Sequence, residues 1–216
     1  MDFETEEQQI EAIKKWWKEY GTTIVIGLVL GLIGIFGYRY FTAQGELKKE
    51  ETSGAYESVL AILHEQNDNE KFIAEASIFN LDHSGTIYSN LLSLQLAKLA
   101  ISANDLGTAS QHLRDILNNP QDSTVEHVAR IRLARILLAQ GETDKALALI
   151  TEATGDDFRS SYEMLRGDIW LSKGDRKRAR QAYEAAKNKA SDGPKNPNLE
   201  MLLTDLADET DVAEVK

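Results

Sequence analysis

The sequence predicts an all-α protein: a single membrane-spanning helix near the N-terminus, then a solenoid of helical hairpins, then a capping helix. Three observations carry that prediction. Gly21 to Tyr38 is an eighteen-residue run without a charge. From about residue 46 to 190 good helix formers succeed one another with no sustained period-two alternation. Within that stretch small residues recur at fixed distances from three chain breaks, at a period of roughly 34.

Composition narrows the function classes. The chain of 216 residues holds 24 Lys+Arg against 35 Asp+Glu, a formal charge of −11. An acidic total with no long basic tract argues against nucleic acid as partner, because that affinity rests on cations neutralising phosphates. The absence of Cys excludes a disulfide scaffold, a thiolate zinc site and a cysteine nucleophile, and leaves the compartment to be read from elsewhere.

The first element is residues 1–20, six acids and three lysines. Ile10, Ile13, Trp16, Trp17 and Tyr20 share one face at helical spacing, as in a short interfacial helix. The second is the span, residues 21–41. Its charge-free run rises about 27 Å, close to a ~30 Å hydrocarbon core. Tyr20, Tyr38, Tyr40 and Phe41 supply aromatic belts, and Arg39 can snorkel. A buried helix and a cleaved signal peptide are the competing readings; the acidic start and the poor cleavage match at Phe41-Thr42-Ala43 disfavour the second. Lys14, Lys15 and Lys18 before the span balance Arg39, Lys48 and Lys49 after it, so charge does not decide orientation. Gly27, Gly31 and Gly34 form one stripe suited to close contact with another membrane helix, or reflect the general tolerance of such helices for glycine.

The third element is the repeat domain, residues 42–190, with breaks at Asn67-Asp68-Asn69, Asn104-Asp105, Asn119-Pro120, Gly141, Gly155, Gly174 and Gly193-Pro194. Asn104, Gly141 and Gly174 precede Ala109, Ala146 and Ala179 by five residues each. Ala97, Ala134 and Gly167 stand seven before the same breaks, with Ala100, Leu137 and Trp170 three later; Leu113, Ile150 and Tyr183 follow the alanines by four. Small residues let the two helices of a hairpin approach, and the larger ones fill between repeats, which is the tetratricopeptide pattern. The usual early Trp is replaced by Ser93, Arg130 and Glu163. A degenerate hairpin, 46–66 with 70–81 (Ala74, Ile78), is expected to pack first. Residues 191–207 restart as a capping helix, and 208–216, rich in acids, read as a disordered tail. The fold class is therefore a single N-terminal transmembrane helix followed by a tetratricopeptide-like α-solenoid with a C-terminal capping helix.

No catalytic constellation is visible, nor any cofactor motif. His64, His83, His112 and His127 lack ligand spacing, which favours solvent-exposed histidines over a metal site. Repeat positions 2, 5, 9 and 12 fall on the concave side of such solenoids: Leu91, Leu94, Lys98, Ile101; Val128, Ile131, Arg135, Leu138; Ser161, Met164, Asp168, Leu171. Position 5 is Leu, Ile and Met, which disfavours a carboxylate clamp and suits an apolar segment. The expectation is that position 5 faces an open groove, not the helix-pair core; the competing reading fills the groove with the chain's own helices, 46–66 or 197–207. Lys173, Arg176, Lys177, Arg178 and Arg180 crowd a helix start, either as a solvated face or as a contact for anionic lipid or an acidic partner.

QIEAIKKWWKEYG (Gln9 to Gly21), GYRYF (Gly37 to Phe41), RLARILL (Arg132 to Leu138) and LRGDIWLSKGDRKRARQAYEA (Leu165 to Ala185) resemble the YfgM family of bacterial inner-membrane proteins over nearly the whole chain, with the acidic tail as the chief departure. The resemblance implies a cytoplasmic N-terminus, one anchor in the lipid bilayer of the inner membrane, and a periplasmic tetratricopeptide-like domain ancillary to the SecYEG translocon. It further implies work beside a membrane-anchored periplasmic peptidyl-prolyl isomerase, passing unfolded, newly translocated polypeptides to chaperones, with no catalytic residues. The alternative is a regulatory adaptor for one dedicated stress-signalling protein.

Overall fold

A computed structural model describes residues 6–66, 68–151, 153, 157–189 and 197–213. Among them the secondary structure is helical throughout, and the chain forms two units, Met1–Ala55 and Tyr56–Lys216. Two of the expected breaks, Gly155 and Gly193-Pro194, lie outside the described residues, as does Asn67 of the break Asn67-Asp68-Asn69.

Helix α1 runs Glu6–Ala61 and ends in a π turn, Ile62–Gln66. No boundary separates the amphipathic start, the span and the segment after residue 46; apolar and amphipathic stretches alike have no Pro to interrupt the ladder. Within α1, Ile13–Tyr40 is long and apolar enough to cross a membrane. Its 28 residues rise about 42 Å, which covers a ~30 Å core with its borders. Trp16 lies 6.0 Å from the Tyr20 ring, and the large side chains of this stretch are exposed.

The second unit is a chain of hairpins. Helix α2 (Asn69–Asp82) starts where the Asp68 side chain accepts from the Lys71 amide at 2.9 Å. It buries Phe72, Ala76 and Phe79. That corrects the expected contact residues: Ala74 and Ile78 are exposed, because the apolar stripe of this helix is displaced from the register of the later repeats. A break that the sequence reading overlooked follows, at Gly85 (φ 79°), with Thr86 capping the next helix.

Helices α3 (Ile87–Ser102) and α4 (Leu106–Asn118), α5 (Ser123–Ala139) and α6 (Thr143–Thr151), and α7 (Arg159–Ser172) and α8 (Arg176–Lys189) form three hairpins. Their turns are built alike. Asn104, Gly141 and Gly174 adopt positive φ of 59°, 79° and 77°. The next amide then reaches back to Ala100, Leu137 and Trp170 at 2.8, 2.8 and 2.9 Å. This is the six-to-one bond of a Schellman turn, and it satisfies carbonyls that a helix end otherwise leaves open.

The register residues meet as expected. Ala97, Ala109, Ala134, Ala146 and Ala179 are fully buried. Leu113, Ile150 and Tyr183 beside them are shielded to 1 % exposure or less, each worth about 1.5–3 kcal/mol of burial. One core joins α3 to α7; a second joins Ala179, Tyr183 and Ala186 of α8 to Leu199 and Leu206 of α9 (Pro197–Ala213). Helix α9 caps α8, as the sequence suggests. It also continues past Ala207 to Ala213, so the stretch expected to be disordered from residue 208 is helical as far as it is described; Glu200 in the first turn and no proline after Pro197 favour propagation. Residues 214–216 of the expected tail lie outside the described residues.

Candidate functional site

The first helices of the hairpins form one wall, since α5 packs against both α3 and α7. The twelve residues assigned to it by repeat position divide into three groups. Lys98, Ile101 and Arg135 are exposed and line a cavity of about 510 Å³. Ser102, Leu106, Arg132, Ile136 and Ala139 complete its lining. Ser161 is exposed farther along the wall, and Val128 is half-buried.

The second group is floor. Leu91, Leu94 and Leu138 are half-buried against the main core, and Ile131, 7 % exposed, belongs to it. Position 5 therefore does not look out into an open groove. The correction has a packing cause: α5 is flanked by α3 and α7, and position 5 sits where neighbouring walls meet.

The third group is covered. Met164 and Leu171 pack against the second core, which includes Leu199 and Leu206 of α9, so the chain's own last helix takes part in closing this end. Asp168 is half-buried, and the Tyr183 hydroxyl donates to its Oδ1 at 2.8 Å. Burial raises this carboxyl above its ordinary value, against that hydrogen bond and the nearby Arg135 guanidinium, which both lower it. Arg135 and Asp168 thus sense one another across α5 and α7.

The histidines also need correction. Only His64 is exposed. His127 stacks on Phe158 with ring centroids 4.8 Å apart, and its Nδ1 lies 2.7 Å from the Tyr162 hydroxyl. Burial pushes that phenol up to about 12, outweighing Arg130. His112 lines a second, polar cavity of about 420 Å³ together with Asn80, Ser93 and Asp115. Among the described residues no group of three or more His, Asp or Glu converges as for a metal ion. The basic run is largely absorbed locally: Lys173 pairs with Asp144, Arg178 with Asp175 and Arg180 with Glu184, and Arg178 lies 4.5 Å over the Trp170 ring. Sequence distance hid the first of these partners, since Asp144 belongs to the preceding repeat.

Fold and site define a class: a tetratricopeptide-like repeat protein with one N-terminal helix long and apolar enough to cross a membrane. The family described as a tetratricopeptide repeat-like domain matches residues 14–208. Similar proteins are the ancillary SecYEG translocon subunits of Haemophilus influenzae, 31 % identical over 86 % of this chain and 90 % of the relative, and of Escherichia coli K12, 31 % identical over 85 % and 87 %. That of Neisseria gonorrhoeae is 24 % identical over 93 % and 97 %. No solved structure matches. The chain belongs to the YfgM family, the tetratricopeptide-like ancillary translocon subunits.

Proposed function

We propose that this protein is a single-pass inner-membrane subunit, ancillary to the SecYEG translocon, whose repeat domain holds newly translocated polypeptides in the periplasm. Residues 1–20 are cytoplasmic in this reading. The repeat domain works beside a membrane-anchored peptidyl-prolyl isomerase and releases its clients to chaperones. The observation that carries the reading is the coincidence, in one family member, of an exposed apolar helix at Ile13–Tyr40 with a repeat wall that keeps Lys98, Ile101 and Arg135 open to solvent. A wall of this kind binds by burial of apolar surface, about 25 cal/mol per Å², with no need for one sequence.

Photocrosslinking in cells from positions 101 and 135 tests it. Capture of many unfolded exported chains is the expected result. Capture of one folded protein replaces it with the regulatory-adaptor reading, and capture of none at the wall removes the wall as the binding surface. Protease added to spheroplasts must digest the repeat domain; its survival beside a digested periplasmic control reverses the orientation.

A further inference from the structure

The wall carries an inversion of charge. In a chain of formal charge −11, Lys98, Arg132 and Arg135 converge on one cavity from α3 and α5. Elsewhere in the domain many basic side chains find carboxylates: Arg130 pairs with Glu126, Lys145 with Glu142, Arg166 with Glu163, and Lys187 with Glu200 at 3.0 Å. Among the described residues, Lys98, Arg132 and Arg135 make no such ion pair. Asp168, which already accepts from Tyr183, feels the Arg135 guanidinium. Between the cations lies an apolar surface: Ile101, 40 % exposed, with Leu106 and the nearly buried Ile136.

We propose that this cavity takes an acidic residue of an extended polypeptide together with the large apolar side chain next to it, so that the site selects acidic-apolar segments among its clients. The proposal rests on the reading of the wall as a polypeptide-binding surface and adds the chemistry of what is bound. A volume of about 510 Å³ is of the size that ordinary small-ligand pockets have, enough for an anchoring side chain. Three cations around an apolar floor match a carboxylate beside an apolar group; a wholly apolar segment leaves them unpaired and partly desolvated, and a basic one is repelled. Lys98 and Arg135 stand open to solvent, so they attract an acidic segment before contact, with a range of about 10 Å at about 0.1 M ionic strength.

The test uses the full-length protein in nanodiscs and three fluorescent heptapeptides: one alternating Asp with Phe, one with Lys in place of Asp, and one with Ser in place of Phe. Anisotropy should rank the Asp–Phe peptide about tenfold tighter than either of the others, a factor that two or three partly screened charge contacts supply. Lys98→Glu with Arg135→Glu should weaken it by a similar factor and favour the Lys–Phe peptide. Lys177→Glu, a charge change off the wall, and Ile101→Ala separate net charge and packing: the first should change nothing, the second should weaken both Phe peptides. Equal affinity for Asp–Phe and Lys–Phe peptides, both lost with Ile101→Asp, overturns the acidic preference and leaves the wall as a polypeptide site. No binding of any peptide overturns both. Short-chain phosphatidylglycerol, titrated below its micelle concentration, supplies the last arm. If the double charge reversal abolishes its binding and leaves peptide affinity unchanged, the cations serve lipid and the proposal fails.

Discussion

The Tyr183 ring lies across Gly167 so closely that a Cβ there would fall 2.3 Å from Cε1. Glycine at this point of α7 is a packing requirement, since it is the only residue that admits the ring between the two helices. Gly167→Ala forces the fully buried Tyr183 to move and should destabilise the domain by about 1–3 kcal/mol, read as a lower midpoint in chemical denaturation. Ala97 and Ala134, the equivalent residues of the earlier hairpins, face Leu113 and Ile150 at the corresponding place in the register and tolerate a methyl there.

The three hairpin turns make a graded set. Gly141 and Gly174 sit at φ 79° and 77° with open space around them, so an added methyl meets strain from the backbone and not from neighbours. Gly141→Ala and Gly174→Ala should each cost about 1 kcal/mol. Asn104, at φ 59°, should gain a few tenths of a kcal/mol, roughly, on change to Gly, because asparagine tolerates this region less well. Thermal midpoints of the three variants should therefore move in opposite directions.

Asp168 and Tyr183 act as a donor–acceptor pair inside the last hairpin. Tyr183→Phe leaves a half-buried carboxylate without its hydroxyl donor and should lose about 1.5–3 kcal/mol. Asp168→Asn keeps an oxygen acceptor and removes a charge that burial disfavours, so the domain should lose nothing or gain. A double-mutant cycle over these changes reports the coupling.

His112 makes stability depend on pH. Burial holds its imidazole below 6.5, with Asp115 pulling the other way. Below pH 6.5 the unfolded chain therefore accepts a proton that the folded chain resists, and stability falls as pH drops from there toward the lowered folded value. His112→Gln should flatten the decline in thermal midpoint between neutral and mildly acidic pH.

In the anchor, Gly27, Gly31 and Gly34 meet nothing within 4 Å. If the stripe receives another membrane helix, Gly31→Leu should reduce recovery of the membrane complex, since such contacts depend on close backbone approach. Unchanged co-purification reduces the stripe to ordinary glycine content.

The repeat register was legible because it rests on small residues, whose spacing does not drift: Ala97, Ala109, Ala134, Ala146, Gly167 and Ala179 all lie where the hairpins close. The wall was only half legible. Position number places Ile131 and Lys98 on the same side of their helices, but depth depends on the neighbouring wall helix, and that distance is not written in either helix alone. The same limit applies to His127, whose partners Phe158 and Tyr162 come from the next repeat. Gly85 was overlooked because no second copy of its break exists to compare with it.

The packing order of the helices has a bearing on biosynthesis. Each helix of the domain rests chiefly on the one before and the one after it, with α3–α5 and α5–α7 as the longest reach. A growing chain can therefore complete α3 with α4 before α5 has been made, and no early segment waits for a distant one. The side of α8 that Leu199 and Leu206 cover stays bare until α9 emerges. The interval in which this apolar face lies uncovered on the growing chain is thus short, and it closes once α9 has been made.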